Sequence, residues 1–234
     1  MSLTDNIEEV RVRIRAAAHR AGRSHDDIAL MAVSKTFPPE RIRDAYDAGQ
    51  RLFGENRVQE FAGKAEAVAA LHGAKWHMIG HLQTNKAGKG VELFDAVESL
   101  DSVKLAERLN LAAAQIDKKL DVLIEINVGG ESAKSGVAPD SQELEELLLA
   151  APRLESLAFR GLMTIPPFAD DPQDSRPFFR RLRELRDAIA RRRLPAVGMD
   201  VLSMGMSHDF EVAIEEGSTC VRVGTAIFGE RVKA

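Results

Sequence analysis

The residue best placed for covalent chemistry in this sequence is Lys35. It follows an apolar run at 28–33 and precedes the segment Thr-Phe-Pro-Pro, so its amine is expected where a buried strand ends. Burial disfavours the ammonium ion and lowers the pKa of a lysine, and the neutral amine is the form that adds to an aldehyde as a Schiff base. A lysine that extends its ammonium group from the strand end into solvent is the alternative.

Two segments near the C-terminus combine glycines with hydroxyl groups directly after predicted strands. The first contains Ser203, Gly205 and Ser207, and the second contains Gly224 and Thr225. Glycine lets the backbone approach a ligand closely, and the loops after the last two strands of many eight-stranded α/β barrels bind phosphate through hydroxyls and backbone N–H groups. The two segments together predict a phosphate site, whereas turn glycines and capping serines would explain either segment alone.

Arg222 is the charged residue of an otherwise apolar strand, Cys-Val-Arg-Val at 220–223. Its guanidinium stays protonated, so a position inside a barrel requires a partner. A heteroaromatic ring nitrogen that faces the guanidinium would stay unprotonated, which weakens the ring as an electron sink. A buried ion pair with a strand carboxylate such as Glu125 is the alternative.

His77 and His81 resemble a pair of metal ligands because they are four residues apart. That spacing places two side chains on one face of a helix, but this segment is predicted as a strand that runs into a loop. We therefore predict no metal site. His208 and Asp209 are interpreted as the start of a helix.

These residues are positioned by alternating apolar runs and amphipathic segments. Ile7, Val10, Ile14 and Ala17 predict an N-terminal helix, which Gly22 ends. Strands are predicted at 28–33, 51–53, 76–79, 94–97, 122–128, 157–163, 201–203 and 220–223. Helices are predicted at 38–48, 56–71, 84–90, 102–116, 141–150 with Asp140 as its cap, 175–193 and 208–216.

Eight near-continuous apolar strands that alternate with helices predict a parallel sheet covered on both faces. In a chain of 234 residues they indicate an α/β fold, a single-domain (β/α)₈ TIM-type barrel over residues 1–234 with an additional N-terminal helix. A doubly wound open sheet is the competitor, but no Gly-x-Gly-x-x-Gly follows the first strand. Active residues of such barrels lie at the carboxyl ends of the strands, where the polar residues named above occur.

The composition excludes several classes of function. The formal net charge is −4, without the basic excess of a nucleic-acid binder, and no apolar run reaches the length of a membrane helix. Cys220 is the single cysteine and is predicted to be a buried core residue, which fits a reducing compartment. With no signal peptide in the sequence, we expect a cytoplasmic protein. The arginines at 176–193 are interpreted as a solvated helix face.

Seven ordered motifs, from about residue 5 to the C-terminus, resemble the pyridoxal phosphate homeostasis protein family, which is related to the N-terminal barrel of alanine racemase. They are Ala-Val-Ser-Lys-Thr at 32–36, Phe-Gly-Glu-Asn-Arg-Val-Gln-Glu at 53–60, Trp-His-Met-Ile-Gly-His-Leu-Gln-Thr-Asn-Lys at 76–86, Lys-Ser-Gly at 134–136, Gly-Leu-Met-Thr-Ile at 161–165, Leu-Ser-Met-Gly-Met-Ser-His-Asp-Phe at 202–210 and Gly-Ser-Thr-Cys-Val-Arg-Val-Gly-Thr-Ala-Ile-Phe-Gly at 217–229.

This resemblance implies that pyridoxal 5′-phosphate is bound as a Schiff base on Lys35. It implies that Arg222 lies near the pyridine nitrogen of the cofactor. Phosphate contacts are implied for Ser207, Gly224 and Thr225. The remaining residues that the resemblance places around the cofactor are Asn56, His77, Met163 and Ser203.

The resemblance favours a carrier over an enzyme. A two-base racemase needs a second acid or base, which in alanine racemase comes from an additional domain, and we expect none here because the sequence ends at Ala234. The expected protein is a monomer that buffers the cofactor, delivers it to apo-enzymes and has no established turnover. The alternatives are a racemase-like enzyme acting on a small amino acid, with Lys35 as base, and an aldolase-like Schiff-base enzyme acting on a sugar phosphate.

Overall fold

The computed structural model describes residues 2–131 and 135–230. Eight parallel strands close into a barrel in chain order, and the last strand pairs with the first through Ala29 and Cys220. This confirms the predicted single (β/α)₈ barrel. The strands are β1 (Ala29–Val33), β2 (Leu52–Glu55), β3 (Lys75–Met78), β4 (Ala96–Leu100), β5 (Leu120–Glu125), β6 (Leu157–Met163), β7 (Val197–Met206) and β8 (Cys220–Val223).

Helices surround the barrel, and one of them precedes the first strand as predicted. They are α1 (Leu3–Arg20), α2 (Pro39–Asp47), α3 (Val58–Val68), α4 (Ala87–Leu93), α5 (Val103–Gln115), α6 (Gln142–Ala150), α7 (Arg176–Arg191), α8 (Phe210–Glu215) and α9 (Thr225–Phe228). Among the described residues, no helix is both long and apolar enough to cross a membrane.

Helix α1 completes the ring of helices next to the short helix α9. A capping box joins Ser2 and Asp5 and satisfies N–H groups at the start of α1. Its core-facing residues, which include Ile7 and Val10, are buried in the main core. The Asn6 side chain donates a hydrogen bond to the carbonyl of Ile227 in α9 at 2.9 Å. The four-residue α9 is therefore supported by a helix from the other end of the chain.

The barrel wall separates two environments. Ala32 of β1 belongs to the main cluster between the strands and the helices, whereas its neighbours Met31 and Val33 form a smaller cluster with Ile79 and Cys220. Because successive side chains of a strand point to opposite faces, this smaller cluster lies inside the barrel. The prediction of a buried Cys220 is confirmed.

Polar residues explain why two strands, β4 and β7, are longer than predicted. The predicted bounds of β6 and β8 match the structure, but β4 extends to Leu100 and β7 begins at Val197. Glu98 and Ser99 of β4 are buried polar residues, so the apolar run stops before the strand does. In β7, the exposed Asp200 interrupts the apolar pattern in the same way.

Two predictions about the helices need correction. Asp140 does not cap α6, because the Ser141 hydroxyl accepts the hydrogen bond from the Leu144 N–H. The arginines of α7 are not simply a solvated face, since Arg176 and Arg180 make ion pairs with the buried Glu216 at 3.0 Å.

Candidate functional site

Lys35 lies in a tight turn after β1, at the carboxyl-terminal mouth of the barrel. The next residue, Thr36, has a φ of 68°, a left-handed conformation that is strained for a β-branched residue. A cavity of about 340 Å³ at this mouth is bordered by Lys35, Asn56, Gly80, Glu125, Ser135 and Ile165, among others. The strained turn holds Lys35 at the cavity, as the sequence predicts.

A second lysine, Lys64 of α3, braces this turn from outside the barrel. Its Nζ donates to both carboxylate oxygens of Glu55, at 2.9 and 3.1 Å, and to the carbonyls of Ser34 and Phe37, at 3.3 and 3.4 Å. Ser34 and Phe37 flank Lys35 in the chain, so Lys64 fixes the segment on both sides of it. Sequence reasoning missed Lys64, although it lies three residues after Phe61 on the apolar face of α3.

Asn56 borders the cavity because the loop after β3 packs directly against it. A Cβ atom on Gly80 would lie 2.3 Å from the Asn56 carbonyl oxygen, which is far closer than two such atoms can approach. Only glycine fits at this position. The family resemblance places Asn56 around the cofactor, and the structure brings Asn56 and Gly80 to the cavity that contains Lys35.

The two hydroxyl- and glycine-containing segments meet beside the end of β1. The Ser207 hydroxyl oxygen accepts hydrogen bonds from the N–H groups of Gly224 and Ala226, at 3.1 and 3.4 Å. Gly224 lies against Val33, two residues before Lys35, and the exposed Thr225 begins α9. Backbone N–H groups that converge on one oxygen form a donor set suited to phosphate.

Arg222 points into the barrel, where the residue is 3% exposed. It donates to the Ser203 hydroxyl and to the Thr164 carbonyl, both at 2.7 Å. Ser203 in turn donates to Glu98 at 2.5 Å, and the other oxygen of Glu98 contacts His77 Nδ1 at 2.8 Å. The guanidinium is therefore satisfied through Ser203 and Thr164, instead of through the ion pair with Glu125 that the sequence left open.

Glu98 provides the negative charge of this hydrogen-bond network. Burial alone would raise the pKa of Glu98, but the hydrogen bond and charge of His77, together with the charge of Arg222, outweigh it and hold the pKa below the ordinary value. Glu98 therefore stays ionised and stabilises the charge of Arg222. Sequence reasoning did not single out Glu98, because nothing local pairs it with Ser203, which lies 105 residues later.

Of the residues predicted around the cofactor ring, Asn56 borders the Lys35 cavity, whereas His77, Met163, Ser203 and Arg222 do not line it. His77 borders a different cavity, of about 510 Å³, at the amino-terminal mouth, and reaches Arg222 only through Glu98 and Ser203. Met163 is fully buried at the end of β6, between Glu125 and Ser203 in the sheet. Contacts of these four residues with a ligand remain predictions.

Glu125 is a site residue that the sequence suggested only as a partner for Arg222. It ends β5, borders the Lys35 cavity and is 6% exposed, and its Oε2 has no hydrogen-bond partner among the described residues. Burial, and next the charge of Asp101, raise the pKa of Glu125 to about 7, against the opposing charge of Arg222. A buried acceptor without a donor is costly, so this oxygen is poised to meet a polar group in the cavity.

The donor set of this mouth fits a small aldehyde that carries an anionic group. Lys35 supplies an amine, Gly224 supplies one of the converging N–H groups, and Arg222 supplies a buried guanidinium. Among the described residues, no group of three or more His, Cys, Asp or Glu side chains could hold a metal ion. Lys134, in one of the motifs, lies outside the described residues.

Curated relatives cover nearly the whole chain. The pyridoxal phosphate homeostasis protein of Aquifex aeolicus is 49% identical over 232 residues, which is 99% of each chain. The proteins with the same name from Escherichia coli K12 and Vibrio cholerae are 45% and 44% identical, over 98% of this chain and 97% of theirs. This chain belongs to the pyridoxal phosphate homeostasis protein family.

This member of the family also matches the alanine racemase N-terminal domain over residues 6–232. A solved structure of PipY from Synechococcus elongatus PCC7942, with PLP bound, is 34% identical, has a TM-score of 0.84 and overlaps 97% of this chain and 100% of PipY. An alanine racemase of Clostridium difficile shares the fold with a TM-score of 0.71 at 14% identity. This family member spans 57% of that racemase.

Proposed function

We propose that this protein binds pyridoxal 5′-phosphate as a Schiff base on Lys35 and acts in cofactor homeostasis, without catalytic turnover. The observation that carries the proposal is Lys35 itself, held by a strained and braced turn at a cavity beside converging N–H donors. The PLP-bound structure of PipY and the names of the relatives support the choice of cofactor.

Each group of residues has a distinct part in this proposal. Lys35 provides the amine that holds the aldehyde carbon, and Ser207, Gly224 and Thr225 bind the phosphate. Arg222 faces the pyridine nitrogen, and Asn56, His77, Met163 and Ser203 support the ring directly or through their neighbours. When bound, the cofactor supplies an electrophilic carbon conjugated to an electron-withdrawing ring.

Arg222 sets the charge beside the ring nitrogen in this proposal. Its guanidinium is held in place by Ser203 and Thr164. A fixed cation beside a ring nitrogen keeps that nitrogen unprotonated, which weakens the ring as an electron sink. The homeostasis names of the relatives support a carrier, which we propose is a cytoplasmic monomer that holds the aldehyde in a harmless form and passes it to apo-enzymes.

Absorption spectroscopy tests the proposal. The wild-type chain, loaded with pyridoxal 5′-phosphate and freed of unbound cofactor, is expected to show a visible band that borohydride removes by reducing the imine. Lys35→Ala is expected to abolish the band, with Lys104→Ala, a lysine on α5, as the matched control. A wild-type chain that develops no band would contradict the cofactor assignment.

Addition of amino acids separates the carrier from a racemase-like enzyme. We expect alanine to produce at most a stoichiometric change in the spectrum of the loaded protein. Sustained racemisation that depends on Lys35 would contradict the carrier assignment and establish an enzyme.

A further inference from the structure

Three glutamates are buried inside the barrel or at its strand ends, but only two of them are compensated. Glu55 accepts hydrogen bonds from Lys64 and Ser34, and Glu98 interacts with His77 and accepts from Ser203. Glu125 is buried to a similar degree, and its Oε2 has no partner among the described residues. Two buried carboxylates thus have hydrogen-bond partners within the fold, and the third has an oxygen without one at the edge of a cavity. This difference indicates that the third carboxylate meets a transient partner in the cavity.

The position of Glu125 identifies that partner. Glu125 and Lys35 border the same cavity, one from the end of β5 and the other from the turn after β1. Among the described residues, the charged and titratable groups that border this cavity or act on the pKa of Glu125 are Lys35 and His81 at the cavity, Asp101 after β4 and Arg222 in β8. His81 contacts Asp101 at 3.3 Å. Lys35 is the residue of this cavity whose nitrogen must lose and regain a proton during Schiff-base chemistry.

We propose that Glu125 transfers the protons needed for capture and release of the aldehyde by Lys35. The carboxylate takes one proton from the Lys35 ammonium, and the resulting amine forms the bond to the aldehyde carbon. The second proton of the nitrogen moves to the former aldehyde oxygen, which becomes a hydroxyl group. The carboxylic acid then returns the first proton to this hydroxyl, which leaves as water while the C=N bond forms. Protons and charge balance, and release follows the same steps in reverse.

The electrostatic surroundings suit this role. Burial and the charge of Asp101 raise the pKa of Glu125 to about 7, which lets the group act as base and as acid near neutral pH. Arg222 opposes this shift and keeps the pKa from rising further. The inference rests on the proposed function, since it assumes that Lys35 binds an aldehyde.

Stopped-flow absorption with pyridoxal 5′-phosphate tests the inference on the full chain freed of cofactor. Glu125→Gln keeps the shape of the side chain but cannot transfer protons, so we expect the capture rate to fall about 100-fold. The release rate, measured by trapping the free aldehyde with a hydrazine, is expected to fall by the same factor. The equilibrium dissociation constant should therefore change little, whereas a residue that only binds the cofactor would change it.

The pH profile provides a second readout. The wild-type capture rate is expected to rise with pH through an inflection near the pKa of Glu125, and this inflection should be absent in Glu125→Gln. Asp101→Asn removes a charge that raises this pKa, so its inflection should move to lower pH. Asp101→Asn also tests the inference if Glu125→Gln folds poorly. Glu143→Gln, on the first turn of α6, is the matched control and should behave as the wild type.

The outcomes separate this inference from the proposed function. Wild-type capture and release rates in Glu125→Gln, or an unmoved inflection in Asp101→Asn, would overturn the role of Glu125 while leaving the cofactor site intact. A loss of equilibrium affinity with an unchanged capture rate would assign Glu125 to binding instead. The absence of any visible band in the wild-type chain would overturn the proposed function itself.

Discussion

Neighbouring side chains decide whether each buried glutamate is ionised. The ionisation state in turn decides whether the glutamate acts as a fixed charge or can exchange protons. His77 and Arg222 keep Glu98 ionised, so it serves as a fixed charge. Burial raises the pKa of Glu55, and Lys64 partly offsets that rise by contact at 2.9 Å. The Oε2 of Glu125 has no hydrogen-bond partner among the described residues, which is why we propose that this carboxylate exchanges protons.

The charge of Arg222 is open to a spectroscopic test. Arg222→Gln keeps hydrogen-bond donors near Ser203 but removes the positive charge, so the pyridine nitrogen of the bound cofactor should gain a proton more readily. We expect the absorption spectrum of the loaded protein to shift, with Arg181→Gln as a surface control. An unchanged spectrum would contradict the contact with the pyridine nitrogen. Arg222→Glu is a poorer probe, because it places a second carboxylate near the buried Glu98.

Lys64 and Glu55 form a buried pair whose loss should be costly. Lys64→Met leaves the fully buried Glu55 without its cation, so we expect the free energy of unfolding to fall by about 3–5 kcal/mol. Chemical denaturation measures this change. The double variant Lys64→Met with Glu55→Met should recover most of it, because no charge remains buried. A double variant as unstable as Lys64→Met would show that the charge of Glu55 is not the cause.

At the scale of elements, an ion-pair cluster joins α7 to the end of α8, just before β8 begins. Arg176, Arg180 and Arg183 all contact the buried Glu216, at 3.0 to 3.2 Å. Burial acts to raise the pKa of Glu216, but the hydrogen bonds of Arg180 and Arg176 outweigh it and leave the pKa lowered. The cluster therefore helps to fix the element that leads into the strand of Arg222.

This cluster makes stability depend on pH. Because the folded-state pKa of Glu216 is lowered, its contribution is present above the unfolded pKa and is lost as pH falls through the folded value. Glu216→Gln should lower the free energy of unfolding by about 1–2 kcal/mol at pH 7, a value reduced by the solvent exposure of the arginines. The difference from the wild type should shrink in denaturation experiments below pH 4. A difference that stays constant with pH would contradict this account.

Strand order and the mouth of the barrel were predictable because the apolar patterns are local. The apolar run before Lys35 and the valines beside Arg222 indicate buried strands from neighbouring residues alone. The end of β4 was not predictable, since Glu98 and Ser99 are polar residues that become acceptable only inside a closed barrel.

At the scale of the whole molecule, the pairings inside the barrel depend on contacts between distant segments. Ser203 and Glu98 are 105 residues apart in sequence, and Arg222 reaches Thr164 across 58 residues. Sequence patterns identified Lys35, Ser203 and Arg222 as candidate site residues. They did not predict the hydrogen-bond network that joins Ser203 to Arg222. The Oε2 of Glu125, which has no hydrogen-bond partner among the described residues, is likewise a property of the closed barrel.

The central claim is that one lysine, Lys35, holds the cofactor. The most direct measurement is reduction of the loaded protein with borohydride, followed by proteolysis and mass spectrometry of the peptides. The account predicts a pyridoxyl phosphate mass on the peptide that contains Lys35, and no specific label in Lys35→Ala. Stoichiometric labelling of another lysine while Lys35 stays unmodified would contradict it.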